Sequence, residues 1–265
     1  VTEPGDRVGV PGPTYAMYYV YNNIFDTQLT QINYDSYTLK LKWDELDTFI
    51  ESKPDILFIP NPNQPVEDPL SINQIAEISK RCSENGTLLV IDEAYYMFGC
   101  ETAIGLVKDY DNLVILRTFS KGFGVPGIRL GYMVSNAENI AHFSKTRFAY
   151  ESNSLSDAVG EYLLDNIDIV NDYVRKVHEG RNYIKSELSR LGLNCNGNVG
   201  NYLLIDFESE EKCKYFASAL EEKKIHVKAN YSDEWAKYML VTLGPKEMLI
   251  PFVDVIKSCF EMTKN

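Results

Sequence analysis

Three short, unbroken apolar runs constrain this chain more than any other feature. They lie within residues 55–60 (LFI), 87–92 (LLVI) and 112–118 (LVIL). A strand with one face in water alternates apolar and polar residues. A continuous run suits a strand covered on both faces, as in a parallel sheet. Between the first two runs, Ile72, Ile75, Ile78 and Cys82 recur at helical spacing over residues 70–85, and Gly86 follows as a stop signal. Residues 44–52 read as a shorter helix. This strand–helix–strand rhythm predicts an α/β domain with right-handed crossovers. Residues 129–134 (RLGYMV) predict a further strand after the turn chemistry of 122–127.

From about Ser154 the pattern changes. Residues 155–191 are dominated by helical periodicity, with a break expected near Asn166. After them the sequence predicts a strand at 202–207, a helix at 210–222, strands at 225–228 and 239–243, and a closing helix at 247–262. The expected organisation is a large α/β domain (1–150), a connecting helical segment (151–192) and a small α+β domain (193–265). The Pro- and Asn-rich stretch 61–69 follows a strand directly and reads as a loop at the sheet's carboxyl edge.

Charge and composition narrow the function. The 265 residues carry a formal net charge of -12, and no segment is strongly basic, so no grip on nucleic acid phosphates is expected. No stretch is apolar for long enough to span a bilayer. The first ten residues, VTEPGDRVGV, are not a signal peptide, which points to the cytoplasm. They also lack a starting Met, so the chain reads as part of a longer protein. Five scattered cysteines without a CxxC pair, and three scattered histidines, predict neither a disulfide framework nor a zinc site.

The chemistry gathers where strands end. One strand runs into Asp92-Glu93-Ala94-Tyr95, another into Ser120-Lys121, and a third into Pro60-Asn61-Pro62-Asn63-Gln64-Pro65. The carboxyl edge of an open parallel sheet is where ligands bind. Taken singly, such an Asp more often caps a turn and such a Lys more often sits in water. Together they match the needs of pyridoxal 5'-phosphate (PLP). Its aldehyde must be held by a lysine amine, its pyridine nitrogen by a buried carboxylate, its phosphate by hydroxyls, amides and an Arg, and its ring by an aromatic face.

The segment Thr118-Phe119-Ser120-Lys121-Gly122-Phe123-Gly124-Val125-Pro126-Gly127-Ile128-Arg129-Leu130-Gly131-Tyr132 resembles the S-K-x-F-x-x-x-G-x-R-x-G-Y signature of fold-type I PLP aminotransferases. The whole chain is similar to the class I/II enzymes, and most to the histidinol-phosphate aminotransferase-like branch. The resemblance implies the PLP-dependent transferase fold: a mostly parallel sheet with helices on both faces, plus a small C-terminal α+β domain. It implies that Lys121 forms the Schiff base and moves the proton, Asp92 pairs with the pyridinium, and Tyr95 donates to the phenolate oxygen. Ser120 and Arg129 would bind the phosphate, and Tyr15 would stack on the ring. It further implies a homodimer acting on a small-molecule amino donor and a carbonyl acceptor.

Three departures from the family pattern bear on function. Where the family reads Asn-Pro-Thr-Gly, this chain has Gln64-Pro65-Val66-Glu67; Gln64 carries the same amide one methylene further out, and Asn61 and Asn63 lie close by. Where the family's last strand reads R-x-T-x-G, with an Arg that clamps the substrate α-carboxylate, this chain reads Leu240-Val241-Thr242-Leu243-Gly244. An alkyl group cannot replace a bidentate guanidinium. Lys228, and less directly Lys237, are the candidate replacements, although each reads first as a surface lysine. The family's N-terminal arm, part of its phosphate cup and the tyrosine that reaches the partner's cofactor would precede residue 1, so this stretch alone is expected to hold PLP weakly. An aminotransferase whose substrates include a phosphorylated amino alcohol or keto compound is the main expectation. A decarboxylase of a phosphorylated amino acid and a non-enzymatic PLP-sensing regulator domain are the alternatives.

Overall fold

The three apolar runs become adjacent parallel strands at the centre of a sheet. The computed structural model describes residues 2–262. The chain opens with β1 (Arg7–Gly12), α1 (Met17–Phe25), β2 (Gln28–Asn33) and α2 (Trp43–Glu51). Then come β3 (Ile56–Pro60), α3 (Ile72–Asn85), β4 (Leu88–Asp92), β5 (Leu113–Thr118), β6 (Gly131–Val134) and α4 (Ala137–Ser144). The sheet order is β2-β1-β3-β4-β5-β6. All of its pairings are parallel except the last, where β6 joins β5 antiparallel.

Successive residues of the central strands face opposite ways, and both ways are apolar. Leu57, Ile59, Leu89, Ile91, Leu113 and Ile115 enter the main core with Leu46, Phe49 and Ile50 of α2 and Ile75, Ile78 and Cys82 of α3. Val8, Ile56, Val90 and Val114 form a smaller cluster on the other face, against which Phe143 of α4 packs. Each such side chain contributes about 1.5–3 kcal/mol by leaving water. Local signals set the helix ends. Ser71 and Gln74 form a reciprocal capping box at the start of α3, and Gly86 ends it in the left-handed region (φ 76).

The second half begins with α5 (Ser154–Asp165) and α6 (Ile167–Arg190). Asn166 separates them with non-helical φ -118 and ψ 47, so the helix breaks where the sequence predicts. β7 (Asn194–Asn196), β8 (Tyr202–Asp206), α7 (Glu210–Glu222), β9 (Tyr238–Thr242) and α8 (Lys246–Met262) complete the chain. β7, β8 and β9 form an antiparallel sheet in that order. The strand expected at 225–228 does not form. The chain turns through Lys224 in the left-handed region (φ 59) and meets β9 at one bridge, Lys228 with Leu240. Val174, Val177, Ile184 and Leu188 of α6 belong to the same core as the first sheet's strands and as Leu203, Ile205 and Met239 of the second. Gly180 lets α6 approach the turn before α8, since a Cβ there would stand 2.1 Å from the Gly244 carbonyl oxygen.

Candidate active site

The register of the sheet brings the strand ends level. Pro60 pairs with Asp92, and Asp92 with Leu116. The residues just beyond these positions therefore face one cleft of about 360 Å³. All seven residues singled out from sequence line it: Tyr15, Gln64, Asp92, Tyr95, Ser120, Lys121 and Arg129.

Asp92 ends β4. Its Oδ2 accepts a hydrogen bond from the Tyr18 hydroxyl at 2.9 Å, and its Oδ1 accepts the Ala94 N–H at 3.0 Å. Burial pushes its carboxyl above the ordinary carboxylate range, against the pull of these two bonds and of Lys121. The same loss of water lowers the Lys121 ammonium, opposed by Asp92. Lys121 Nζ lies 5.2 Å from the centre of the Tyr95 ring. Tyr95 packs edge-on to Tyr202 at 5.0 Å, and burial raises its phenol, which stays a hydrogen-bond donor at neutral pH.

Ser120 is held by its own backbone, its N–H donating to Thr118 Oγ1 at 3.0 Å. Arg129 is exposed and adopts the left-handed region (φ 54), with Nη1 donating to the Pro126 carbonyl at 3.1 Å. Tyr15 stands at the mouth, 58% exposed, just before α1. Gln64 is half-buried and precedes Pro65 through a cis peptide. Asn61 and Asn63 do not stand in for it. Asn63 Nδ2 donates to the carbonyls of Pro13 and Val66 and its Oδ1 accepts from Thr14, while Asn61 exchanges bonds with the backbone of Leu70. Both amides are committed to shaping the loop.

Several contributors were not visible as such in the sequence. Tyr18 lies in the first turn of α1, three residues beyond Tyr15, and no motif named it. Its ring packs 5.3 Å from Phe58, which aims the hydroxyl at Asp92. Glu93 and Arg117 pair beneath the strand ends, at 3.0 Å from Nε and 2.9 Å from Nη2. Glu93 also accepts from Thr102 and the Ala103 N–H, and Arg117 lies 3.8 Å over the Tyr96 ring. Arg117 lines the cleft, yet its guanidinium is taken up by this network.

Leu240 is buried in β9, where the family pattern has its Arg. Lys228 exchanges both backbone hydrogen bonds with it, at 3.1 and 2.8 Å, so the two side chains share one face. Lys228 is exposed, with Nζ 4.9 Å from the Tyr231 ring. Lys237 is engaged elsewhere, in an ion pair with Asp206 at 2.8 Å and over the rings of Tyr37 and Tyr238. Neither lysine lines the cleft.

The family model for aminotransferase class I and II matches residues 1–256. The chain belongs to the class I and II aminotransferases. Members of this family depend on PLP. Histidinol-phosphate aminotransferase from Brachyspira hyodysenteriae is 32% identical to this aminotransferase over 259 residues, covering 96% of the chain and 70% of the relative. The Carboxydothermus hydrogenoformans histidinol-phosphate aminotransferase 1 is also 32% identical, over 89% of the chain and 65% of its own length. The chain thus spans about two thirds of these relatives. In fold it matches the histidinol-phosphate aminotransferase of Sinorhizobium meliloti, solved in complex with PLP, with a TM-score of 0.88 over 98% of the chain and 72% of that protein, at 20% identity. A PLP-bound C–S lyase of Staphylococcus hominis shares the fold at TM-score 0.85 and 14% identity, over 98% and 72%. One scaffold therefore carries more than one reaction. The residues of the cleft fit PLP on their own chemistry. A buried carboxylate of raised pKa suits a protonated ring nitrogen, a half-buried lysine of lowered pKa suits an imine, and Ser120 with Arg129 suits a phosphate.

Proposed function

We propose that this PLP-dependent aminotransferase exchanges an amino group between a donor and a carbonyl acceptor, at least one of which has no α-carboxylate. One observation carries the reading: every predicted cofactor contact lines a single cleft, while Leu240 stands where the carboxylate-binding Arg belongs. When bound, PLP supplies an electron-accepting ring that stabilises charge at the reacting carbon.

The chain's own residues divide the remaining work. Lys121, with its amine pKa lowered by burial, is the nucleophile that holds the cofactor and the base that moves the proton. Asp92, oriented by Tyr18 and Ala94, holds the ring nitrogen in its protonated form. Tyr95 and Gln64 donate to the phenolate oxygen, Ser120 and Arg129 grip the phosphate, and Tyr15 covers the ring.

A phosphorylated amino alcohol suits such a site, and histidinol phosphate, named by the relatives, is the first compound to try. Small molecules are the substrates. Among the described residues no helix is long and apolar enough to cross a membrane, and that is consistent with action in the cytoplasm. Exposed Tyr21, Ile24 and Phe25 on α1 and Leu155 and Tyr162 on α5 support assembly as a homodimer.

The test is the near-ultraviolet and visible spectrum with added PLP, for the protein and for Lys121→Ala, before and after histidinol phosphate or glutamate. The expected result is a Lys121-dependent band that histidinol phosphate bleaches faster than glutamate. A folded protein without such a band sinks the assignment of Lys121, and faster bleaching by glutamate sinks the substrate reading.

A further inference from the structure

The loop 61–67 faces two ways. Gln64 lines the cleft, whereas Glu67, three residues on, enters the loop before β8. The Glu67 side chain is buried, and its carboxylate meets three successive backbone amides. Oε2 accepts the N–H groups of Val199 and Gly200, both at 2.9 Å, and Oε1 accepts that of Asn198. Consecutive amides converging on one oxygen pair form a concave anion site. The main chain of Glu67 is held too: its N–H donates to Asn196 Oδ1 at 2.8 Å, and its carbonyl accepts from Asn196 Nδ2 at 3.0 Å. Next to this, the Tyr202 hydroxyl donates to the Asn63 carbonyl.

Arg181 of α6 grips the same loop by its carbonyls, donating to those of Asn198 and Gly200, and it is buried as well. An anion from the large sheet and a cation from the long helix thus compensate each other through the peptide groups between them. A buried charge left without partners is strongly destabilising, so each grip stabilises the other. In the family pattern Glu67's position is Gly, which has no side chain to reach across.

We propose that Glu67 is a positioning residue that fastens loop 196–200 to the loop bearing Gln64, and so holds that wall of the cleft in its working shape before substrate arrives. It touches no reacting atom and acts through Gln64 and the segment leading into β8. The positioning claim rests on Gln64 as a cofactor contact; the fastening itself does not.

The experiment compares the protein with Glu67→Gln, which keeps the volume and removes the anion, and with Asn196→Ala, which removes the two bonds to the Glu67 main chain. Two quantities are read: amide hydrogen exchange without ligand, and the Kd for PLP from its absorption titration. In Glu67→Gln the amides of Asn198, Val199 and Gly200 should exchange about tenfold faster, as charge-assisted bonds are lost, with those of Leu89, Val90 and Ile91 unchanged. The Kd for PLP should rise about fivefold. Asn196→Ala should show the same pattern at smaller size, and decides the matter alone if Glu67→Gln does not fold. Unchanged exchange at 198–200 in both variants overturns the proposal, as does equal acceleration in β4, which would make Glu67 a general stabiliser. Faster local exchange with an unaltered Kd overturns the positioning role. A parent protein that takes up no PLP sinks the functional reading, and the positioning claim with it, while the exchange measurement still reports the fastening.

Discussion

Asp92 is a buried carboxylate whose own hydrogen bonds do not offset its loss of water. Tyr18 and the Ala94 amide support its charged form, yet burial still raises its pKa. In the cofactor-free protein the raised folded value has a definite sign in the stability profile. Its contribution is fully present below the unfolded value of about 3.9 and is lost as pH rises through the folded value. Asp92→Asn removes that titration. At neutral pH the cofactor-free variant should be more stable than the parent, with a higher Tm, and the gap should close as pH falls through the raised folded value of Asp92 toward the unfolded one. The same variant should lose most of the thermal stabilisation that added PLP gives the parent. Calorimetry with and without PLP across that pH range checks both halves; a variant less stable than the parent at neutral pH contradicts the account of the carboxylate. The residues that motifs name, from Tyr15 to Arg129, could be picked out from sequence, and all of them line the one cleft. Their supports were not, because a residue such as Tyr18 matters through the direction Phe58 gives its ring. No spacing rule encodes that direction.

At the scale of elements, the ends of β4 and β5 are joined beneath the site by the Glu93–Arg117 pair, both almost wholly out of water. Removing one partner strands the other's charge. Glu93→Ala should therefore destabilise the fold by about 3–5 kcal/mol, read as a lower urea midpoint with little change in slope. A loss under 1 kcal/mol would mean that Arg117 finds water instead. Strand legibility followed burial. β3, β4 and β5 are covered on both faces and announce themselves as unbroken apolar runs. β2 buries only Ile32 among its polar neighbours, and β1 reads as a Gly- and Pro-punctuated stretch, so neither was apparent. α1, which buries no residue at all, was likewise not apparent. The expected strand at 225–228 had the right residue types, but strand pairing is a property of the neighbour, and β9 meets it only at Lys228.

Across the whole molecule, α6 ties the two sheets together. Val170, near its start, packs with Phe119 and Phe123 beside Lys121, and Leu188, near its end, lies in the core shared with β8 and β9. Gly180, midway, allows the helix to lie against the turn before α8. A methyl group there would collide with backbone, so Gly180→Ala should cost about 2 kcal/mol or more despite the better helix propensity of Ala. Thermal denaturation decides this, and a variant as stable as the parent would show that the turn can yield. A helix of 24 residues is about 36 Å long. It begins at Asn166, the one non-helical joint between it and α5. Treated as a rigid rod pivoting there, it magnifies: a tilt of ~5° at the joint displaces the far end by about 3 Å, the length of a hydrogen bond. That far end leads directly into β7 and the peptides held by Glu67. An angular displacement at the joint is thus carried toward the three bonds that the Glu67 carboxylate accepts from residues 198–200.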